Sequence, residues 1–285
     1  MNTLQITFVI LIIAIAVSFL YGLFTRNYST VDRLWSILPP VFVLIWMKDY
    51  MHNPRFVIAA LLVIAWGIRL SLNFARRGGY GFERGKGFTG EDYRWEIMRQ
   101  RIPDRFMFEL FNLFFISAFQ LVLIFMITLP LYFLGQYDAP LAMGDYLLFG
   151  LHALLLLLET VADNQQYRFY SERDSEEFRN SPRHQLGFNT FGLWKHSRHP
   201  NYVCEMAQWI VVALYLYHVS GSLHGSMAGA LVLMLLFAGS TNLAENITLS
   251  KYPAYPEWRR VSVPWVTLPG MNLKKKREFL ESIGK

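Results

Sequence analysis

Residues 191–209 read FGLWKHSRHPNYVCEMAQW, a polar cluster that runs directly into an apolar segment. Proline suits the first turn of a helix, and it biases the residue before it away from helical angles. A helix is therefore predicted to begin at Pro200. Asn201, Glu205 and Trp209 then follow at i, i+4 and i+8, so an amide, a carboxylate and an indole share one helix face.

The carboxylate on this face has two interpretations. If the helix enters a membrane, a carboxylate one turn inside is costly unless a polar or cationic group faces it. Glu205 then marks a functional site. Alternatively, the helix is simply capped and Glu205 pairs with a neighbouring arginine.

Composition indicates a membrane protein. The chain has 285 residues, of which 53% are hydrophobic and 16% aromatic, and the hydrophobic share exceeds that of a usual soluble domain. Cys204 is the single cysteine, so no intrachain disulfide is possible, and a small apolar space-filling role is predicted. No second soluble domain is evident. We predict one integral membrane domain over residues 1–270 and a basic cytoplasmic tail over 271–285.

Hydropathy predicts an all-α polytopic fold with about seven transmembrane helices, because a spanning helix needs about 20 mostly apolar residues. The predicted spans are Ile6–Phe24, Leu34–Met47, Phe56–Phe74, Met107–Leu134, Leu141–Ala162, Tyr202–Tyr217 and Met227–Ile247. The first has no basic n-region or cleavage site, which favours a retained span over a signal peptide. The second is short and contains Pro39 and Pro40, so a kink is expected.

Basic residues predict the orientation. Most of the 27 lysines and arginines fall in alternate loops and in the tail, and the opposite side has only Lys48 and Arg55. The positive-inside rule then predicts an N-terminus outside and a cytoplasmic C-terminus, as in a multi-pass protein of a bacterial inner membrane. The net charge of +6 reflects this topology and needs no nucleic-acid partner. LKKKR at 273–277 is predicted to contact anionic membrane lipid.

The loop after the third span carries candidate ligand-binding residues. Arg69 and Asn73 lie one helical turn apart, and Arg76 and Arg77 precede the glycine pair 78–79. An arginine inside a span needs a partner and marks a functional site by default. Paired arginines suit phosphate, and glycines let the backbone approach a ligand closely. The alternative is a cluster that only sets the orientation.

Further candidates flank the fifth span. Glu159 and Asp163 lie one turn apart at its predicted end, and Arg168 follows. The two carboxylates could hold ribose hydroxyls or amide groups of a cofactor, or they could pair with Arg69 or Arg168.

The last span also carries polar side chains. Thr241 and Glu245 form an i, i+4 pair, and a purely structural helix rarely keeps so many polar groups within a membrane. The pair is therefore a candidate for binding.

Taken together, these motifs carry a family resemblance. GLWKHSRHPNYVCEMAQW, preceded by ADNQQYRF and followed by KYPAYPEWRRVSVPWV, looks like the C-terminal half of the steroid 5-alpha-reductase superfamily. VDRLWSILP, RLSLNFARRGGYG, EDYRWE, FNLFFISAFQ and GST extend the resemblance to its uncharacterised bacterial branch, over about residues 30–266. The resemblance implies a seven-helix reductase that holds NADPH in a cytoplasm-facing cavity of helices five to seven, with arginine-bearing loops closing over it.

Residue by residue, Asn201 and Glu205 match the family's Asn and Glu in an N-F/Y-x-G-E segment, and Asp163 and Arg168 match an aspartate and an arginine that follow helix five. Thr241 and Glu245 fall where the steroid enzymes carry histidine and tyrosine. The predicted cofactor-binding set is Arg69, Asn73, Arg76, Arg77, Glu159, Asp163, Arg168, Arg198, His199, Asn201, Tyr202, Thr241 and Glu245.

One departure concerns the catalytic residues. The steroid enzymes carry a glutamate in a Q-E-L-P segment, whereas the aligned segment here is SILP, with Ile37 at the glutamate position. Their catalytic tyrosine aligns closest to Trp66. Asp32 is the nearest alternative acid, although it could equally cap its helix. The predicted catalytic residues are Asp32, Trp66 and Glu205, with no metal, acting on an apolar substrate that enters from the bilayer.

A rival class is the isoprenylcysteine carboxyl methyltransferases, which the R-H-P-x-Y pattern at 198–202 also resembles and which bind S-adenosylmethionine. A dinucleotide with a ribose phosphate needs several arginines, whereas a sulfonium with one carboxylate needs far fewer. The arginine-rich motifs therefore favour NADPH and reduction of a carbon–carbon double bond in a steroid- or isoprenoid-like substrate. A non-enzymatic lipid or sterol binder would bind neither nucleotide.

Overall fold

The computed structural model describes residues 1–178, 181–265 and 273–283, and these residues form an almost entirely helical protein. A two-stranded antiparallel hairpin pairs β1, Phe82–Glu83, with β2, Gly87–Phe88. The helices are α1 Thr3–Thr25, α2 Thr30–Trp35, α3 Leu38–Tyr50, α4 Pro54–Arg76, α5 Tyr93–Arg101, α6 Arg105–Phe111, the π-helix Asn112–Phe119, α7 Gln120–Leu134, α8 Met143–Arg173, α9 Pro182–Gln185, α10 Pro200–Ser220, α11 Ala228–Lys251, α12 Tyr255–Val261 and α13 Leu273–Ile283, with 3-10 turns at Gly192–Lys195 and Gly225–Met227.

Seven helical segments of the described chain are long and apolar enough to cross a membrane, which confirms the predicted all-α multi-span architecture. The side of the membrane that each terminus faces stays a prediction. The segments are Thr3–Thr25, Thr30–Tyr50, Pro54–Arg76, Arg105–Leu134, Met143–Arg173, Pro200–Ser220 and Gly225–Lys251.

The second span is interrupted, as its prolines indicated. The helical hydrogen bonding breaks between α2 and α3, and proline occupies the first turn of α3, where its missing N–H costs nothing. Opposite this break, α4 presents Gly67, and a Cβ there would lie 2.6 Å from the carbonyl oxygen of Ser36. Only glycine lets the two helices approach so closely.

The fifth helix is longer than hydropathy indicates. The apolar stretch ends near Ala162, but α8 continues to Arg173, so Glu159 and Asp163 lie inside the helix and not at its end. The added residues are polar but compatible with a helix, and Arg168 and Glu172 pair at i, i+4 with an Nε–Oε1 distance of 2.5 Å. The predicted end of this span was therefore wrong by about three turns of helix.

The chain divides into two compact units. The first unit comprises residues 1–152 and 209–232, and the second comprises 153–208 and 233–285. The predicted boundary at residue 270 lies outside the described residues, and the prediction of a single membrane domain stays a prediction.

Ionised and hydrogen-bonded pairs hold the first unit together inside its apolar core. The guanidinium of Arg55 donates to both carboxylate oxygens of Asp145, at 2.6 and 2.9 Å, and both residues are almost fully buried. Arg55 also donates to the carbonyls of Ala139 and Pro140. Elsewhere in the unit, Nδ1 of His152 and the hydroxyl of Tyr215 lie 3.0 Å apart. These groups close on one another, which a low-dielectric interior requires.

A second closed cluster surrounds the π-helix. Asn112 donates through Nδ2 to Glu109, at 2.9 Å, and its Oδ1 accepts from Ser117. Glu109 also accepts from the hydroxyl of Tyr28 at 2.8 Å. Burial and this hydrogen bond raise the pKa of Tyr28, so the phenol stays a donor.

The loop after α4 is fastened to the first unit. Arg33 is buried and donates through Nε to the carbonyl of Gly79 at 2.9 Å, and another of its nitrogens reaches the carbonyl of Gly90. The N–H of Asp92 donates to Ser29 at 2.8 Å. Arginines of this region thus fix the loop as well as supplying charge.

The core of the second unit is aromatic. Phe188, Tyr255, Trp258 and Phe279 are buried together, and Trp258 stacks on Phe279 with ring centroids 5.5 Å apart. Burial raises the pKa of the Tyr255 hydroxyl. The predicted basic tail therefore includes a helix, α13, whose apolar face packs on α12.

Candidate functional site

The polar motif that opens α10 lies in the second unit and faces α8. The helix begins at Pro200, as its sequence predicts. Asn201 donates through Nδ2 to Oδ1 of Asp163 at 3.4 Å, and the carboxylate is 3% exposed. The Oδ1 of Asn201 is buried and has no hydrogen-bond partner among the described residues. The motif therefore presents an amide oxygen as an available acceptor.

The same pairing recurs further along the two helices. Gln208 donates through Nε2 to Oε2 of Glu159 at 2.6 Å and to the carbonyl of Cys204 at 3.2 Å. Its Oε1 is a second buried acceptor without a partner in the described part of the chain. Each predicted carboxylate of α8 thus accepts from an amide of α10. Glu205 lies between the two amides along α10 and is 4% exposed.

Glu245 of α11 gathers cations from the motif and from α12. Its carboxylate lies 2.7 Å from Nε of Arg198, 3.1 Å from Nε of Arg259 and 3.3 Å from Nε2 of His199. Arg198 also donates to the carbonyls of Arg259 and Ser262. The predicted ligand-binding pair Arg198 and Glu245 is therefore engaged internally, which gives it a positioning role in any binding site.

Aromatic rings extend this cluster. His199 stacks on Tyr202 with ring centroids 5.2 Å apart, and Tyr202 meets Phe237 edge-on at 4.8 Å. Thr241 accepts from Nε1 of Trp265 at 3.5 Å. The predicted residues His199, Tyr202 and Thr241 thus line one aromatic region of the second unit.

An open cleft of about 280 Å³ adds residues that the sequence did not single out. It is lined by Gln165, Arg168, Arg183, Phe191 and Gly192. The guanidinium of Arg183 lies over the ring of Phe191, 4.3 Å from its centroid, and its Nε is buried without a partner among the described residues. Gly192 has a φ of 60°, and a Cβ there would strike the side chain of Gln165.

Of these lining residues, only Arg168 was predicted to bind cofactor. Its side chain is 79% exposed and pairs with Glu172. Arg183 was missed because it lies in an irregular segment without helical or strand periodicity, although the glycine and aromatic residues of 191–192 are a local signal for a close approach.

The predicted residues of the first unit have other surroundings. Trp66 is 1% exposed and packs edge-to-face on Trp209, with ring centroids 4.9 Å apart. Arg76 donates through Nε to Oδ1 of Asn73 at 2.9 Å. Arg77 is exposed at the C-cap of α4, and Arg69 is partly buried within that helix.

Asp32, the predicted alternative acid, is held by the region that follows the hairpin. Its carboxylate accepts from Nε1 of Trp95 at 2.8 Å and lies 3.5 Å from a guanidinium nitrogen of Arg94. It occupies the first turn of α2, where a carboxylate favours the helix N-terminus. This setting agrees with a structural role, and its role as an acid stays a prediction.

Comparison with known proteins places the chain in a family. An uncharacterized protein of the fission yeast Schizosaccharomyces pombe is 33% identical over 269 residues, which cover 86% of this chain and 76% of the yeast protein. No solved structure gives a significant match. Residues 18–262 match the family DUF1295, described as a protein of unknown function. By this match, which takes in six of the seven spans entirely and part of the first, the chain belongs to the DUF1295 family.

Proposed function

We propose that the chain is an NADPH-dependent membrane oxidoreductase that reduces a carbon–carbon double bond of an apolar, lipid-borne substrate, steroid- or isoprenoid-like in character. The observation that carries this proposal is the buried Oδ1 of Asn201. Because Nδ2 donates to Asp163, the amide is oriented with its oxygen free to accept. A carboxamide such as that of nicotinamide supplies the matching N–H donor.

The cleft supports the same cofactor at its phosphate end. Arg168 and Arg183 bring two guanidinium groups to one opening, and guanidinium groups match phosphate oxygens in geometry and charge. Arg183 Nε is an unused donor among the described residues. Arg76 and Arg77 of the first unit are further proposed phosphate contacts. This many cations favours a dinucleotide over S-adenosylmethionine.

NADPH, when bound, would supply the hydride. The chain's own residues would orient the ring and the substrate: Asn201 by its amide oxygen, Asp163 by fixing that amide, and Glu205 by supporting it one turn further along α10. Reduction of a double bond also needs a proton, for which Asp32 is the proposed donor. Trp66 is proposed to contact the apolar substrate.

A ligand panel tests the cofactor. Detergent-purified protein is heated with NADPH, NADH or S-adenosylmethionine, and a ligand at 100 times its dissociation constant stabilises by about 2.7 kcal/mol. We expect NADPH to raise the melting temperature most. A rise with S-adenosylmethionine alone would establish the methyltransferase alternative, and no rise with any of the three would indicate a lipid binder.

Asn201→Asp tests the carrying observation. The substitution keeps the size of the side chain but puts a charge beside Asp163, so we expect hydride transfer to fall on the order of 100-fold while NADPH affinity changes little. Asn246→Asp, at an exposed position of α11, is the matched control and should retain activity. Unchanged turnover per folded molecule in Asn201→Asp would refute the assignment and leave Asn201 as a helix-starting residue.

A further inference from the structure

A lysine of α13 is buried without a counter-charge. Lys276 is 7% exposed, and none of its contacts in the described ranges is a hydrogen bond or an ion pair. Its ammonium lies 5.7 Å from the ring centroid of Trp258. A cation–π contact offsets only part of the desolvation of an ammonium group, so the charge of Lys276 is incompletely compensated.

A second lysine increases this excess of positive charge. Burial and the like charge of Lys195 lower the pKa of Lys276, so the two ammonium groups are close enough to repel one another. Lys195 is exposed, as are Lys274 and Arg277 on the outer side of α13. The first turn of α13 carries no acidic residue.

Chain connectivity places this cluster beside the membrane surface. Lys195 ends the 3-10 turn that leads into the sixth span at Pro200. The seventh span ends at Lys251, and α12 begins at Tyr255. Because successive spans alternate in direction, the start of the sixth span and the end of the seventh lie at the same face. Lys195 and the α12–α13 pair are thus at the depth of the lipid head groups on that face.

We propose that Lys276 and Lys195 form a binding site for the phosphate of an anionic phospholipid head group. The apolar side of α13, packed on Trp258 through Phe279, holds Lys276 in place, and a head-group phosphate supplies the missing counter-charge. Lys274 and Arg277 attract the same anionic surface from outside. The site is separate from the proposed reductase chemistry and stands whether or not NADPH binds.

Native mass spectrometry of the full chain in detergent tests this site. Dioleoylphosphatidylglycerol, dioleoylphosphatidylcholine and inorganic phosphate are titrated against wild type, Lys276→Met, Lys195→Gln and the control Lys86→Gln. Lys86 is an exposed lysine of the hairpin, paired with Glu83. We expect phosphatidylglycerol to bind the wild type in preference to phosphatidylcholine. Each site variant should weaken phosphatidylglycerol binding at least fivefold, which corresponds to roughly 1 kcal/mol per basic residue. Lys86→Gln should bind as wild type does.

Two results would overturn the proposal. One is equal phosphatidylglycerol affinity in wild type and in Lys195→Gln, whose exposed position leaves the fold intact. The other is displacement of the lipid by millimolar inorganic phosphate, which would make the site one for a free anion. Lys276→Met should also keep the wild-type melting temperature in phosphatidylcholine, because it removes a buried charge that lacks a partner.

Discussion

Asn112 in the first unit and Asn201 in the second are both asparagines of membrane-spanning helices, yet their amides are used differently. Asn112 donates to Glu109 and accepts from Ser117, so both ends of its amide are paired. Asn201 donates to Asp163, but its Oδ1 is buried without a partner among the described residues. A buried acceptor left unpaired costs about 1–3 kcal/mol. The comparison teaches that buried polarity fastens helices in the first unit and is held ready for a ligand in the second.

Other atoms of the second unit follow Asn201. Buried side-chain atoms that lack a hydrogen-bond partner within the described ranges are Gln166 Oε1, Arg183 Nε, Thr190 Oγ1, Asn201 Oδ1 and Gln208 Oε1. In contrast, the buried ion pair of Arg55 and Asp145 uses both carboxylate oxygens. The predictions below test this difference between closed and open polar groups.

The largest effect is expected at the closed ion pair of the first unit. Arg55→Leu leaves the carboxylate of Asp145 buried without its main partner, so the free energy of unfolding should fall by about 3–5 kcal/mol. Detergent-denaturation curves measure this loss. The double variant Arg55→Leu/Asp145→Leu removes both charges and should recover most of it. No recovery would mean that the carbonyl and backbone contacts of these residues matter more than the charges.

The next effect compares the two asparagines directly. Asn112→Leu strands Glu109 and Ser117 in the core and should destabilise the protein by roughly 2 kcal/mol. Asn201→Leu removes an unpaired oxygen together with one long hydrogen bond, so it should cost less than about 1 kcal/mol while still abolishing NADPH-dependent turnover. Denaturation curves and turnover on both variants decide the matter. An equal loss of stability would erase the distinction between closed and open sites.

A smaller effect is expected in the cleft. Arg183→Gln removes the guanidinium but keeps a polar side chain, so NADPH affinity should fall about tenfold, the size of one charge-assisted hydrogen bond. The melting temperature without ligand should not change, since Arg183 Nε has no partner to lose among the described residues. Isothermal titration measures the affinity. Unaltered NADPH affinity would exclude the cleft from the cofactor site.

The smallest effect is expected at the exposed hairpin. Lys86 and Glu83 form an ion pair at 2.7 Å, with side chains 77% and 55% exposed. Such a pair contributes about 0–1 kcal/mol, and salt screens it. Lys86→Gln should leave the melting temperature unchanged at physiological salt. A clear decrease would show that the hairpin is held more tightly than its exposure indicates.

The fold was largely predictable, because membrane spanning imposes a strong and simple pattern on sequence. The seven spans and the interruption near Pro39 follow from apolar length and from proline chemistry. The end of α8 did not follow, since the residues from Asn164 to Arg173 are polar and hydropathy cannot see a helix that continues into water. Neither did α13 as part of the second unit's core, because LKKKR reads as charge while the contact with Trp258 comes from Phe279 two residues later.

The candidate site was predictable only in part. The spacing of Asn201 and Glu205 on one face, and the presence of carboxylates on α8, are local properties of helices. Which amide meets which carboxylate is not local: Asp163 and Asn201 are 38 residues apart. Arg198 was predicted to meet a ligand, and only the tertiary structure shows Glu245 taking its charge. Arg183 lacked any periodic signal.

The division into two units has a consequence for synthesis. The chain leaves the first unit after residue 152, returns to it at 209 and leaves again after 232. A ribosome makes residues in order, so the first unit cannot be finished when its first segment has emerged. His152 waits for Tyr215, 63 residues later, to provide its hydroxyl. The insertion machinery must therefore keep an incomplete first unit soluble in the bilayer while the fifth and sixth spans are made, and the two units mature together instead of in sequence.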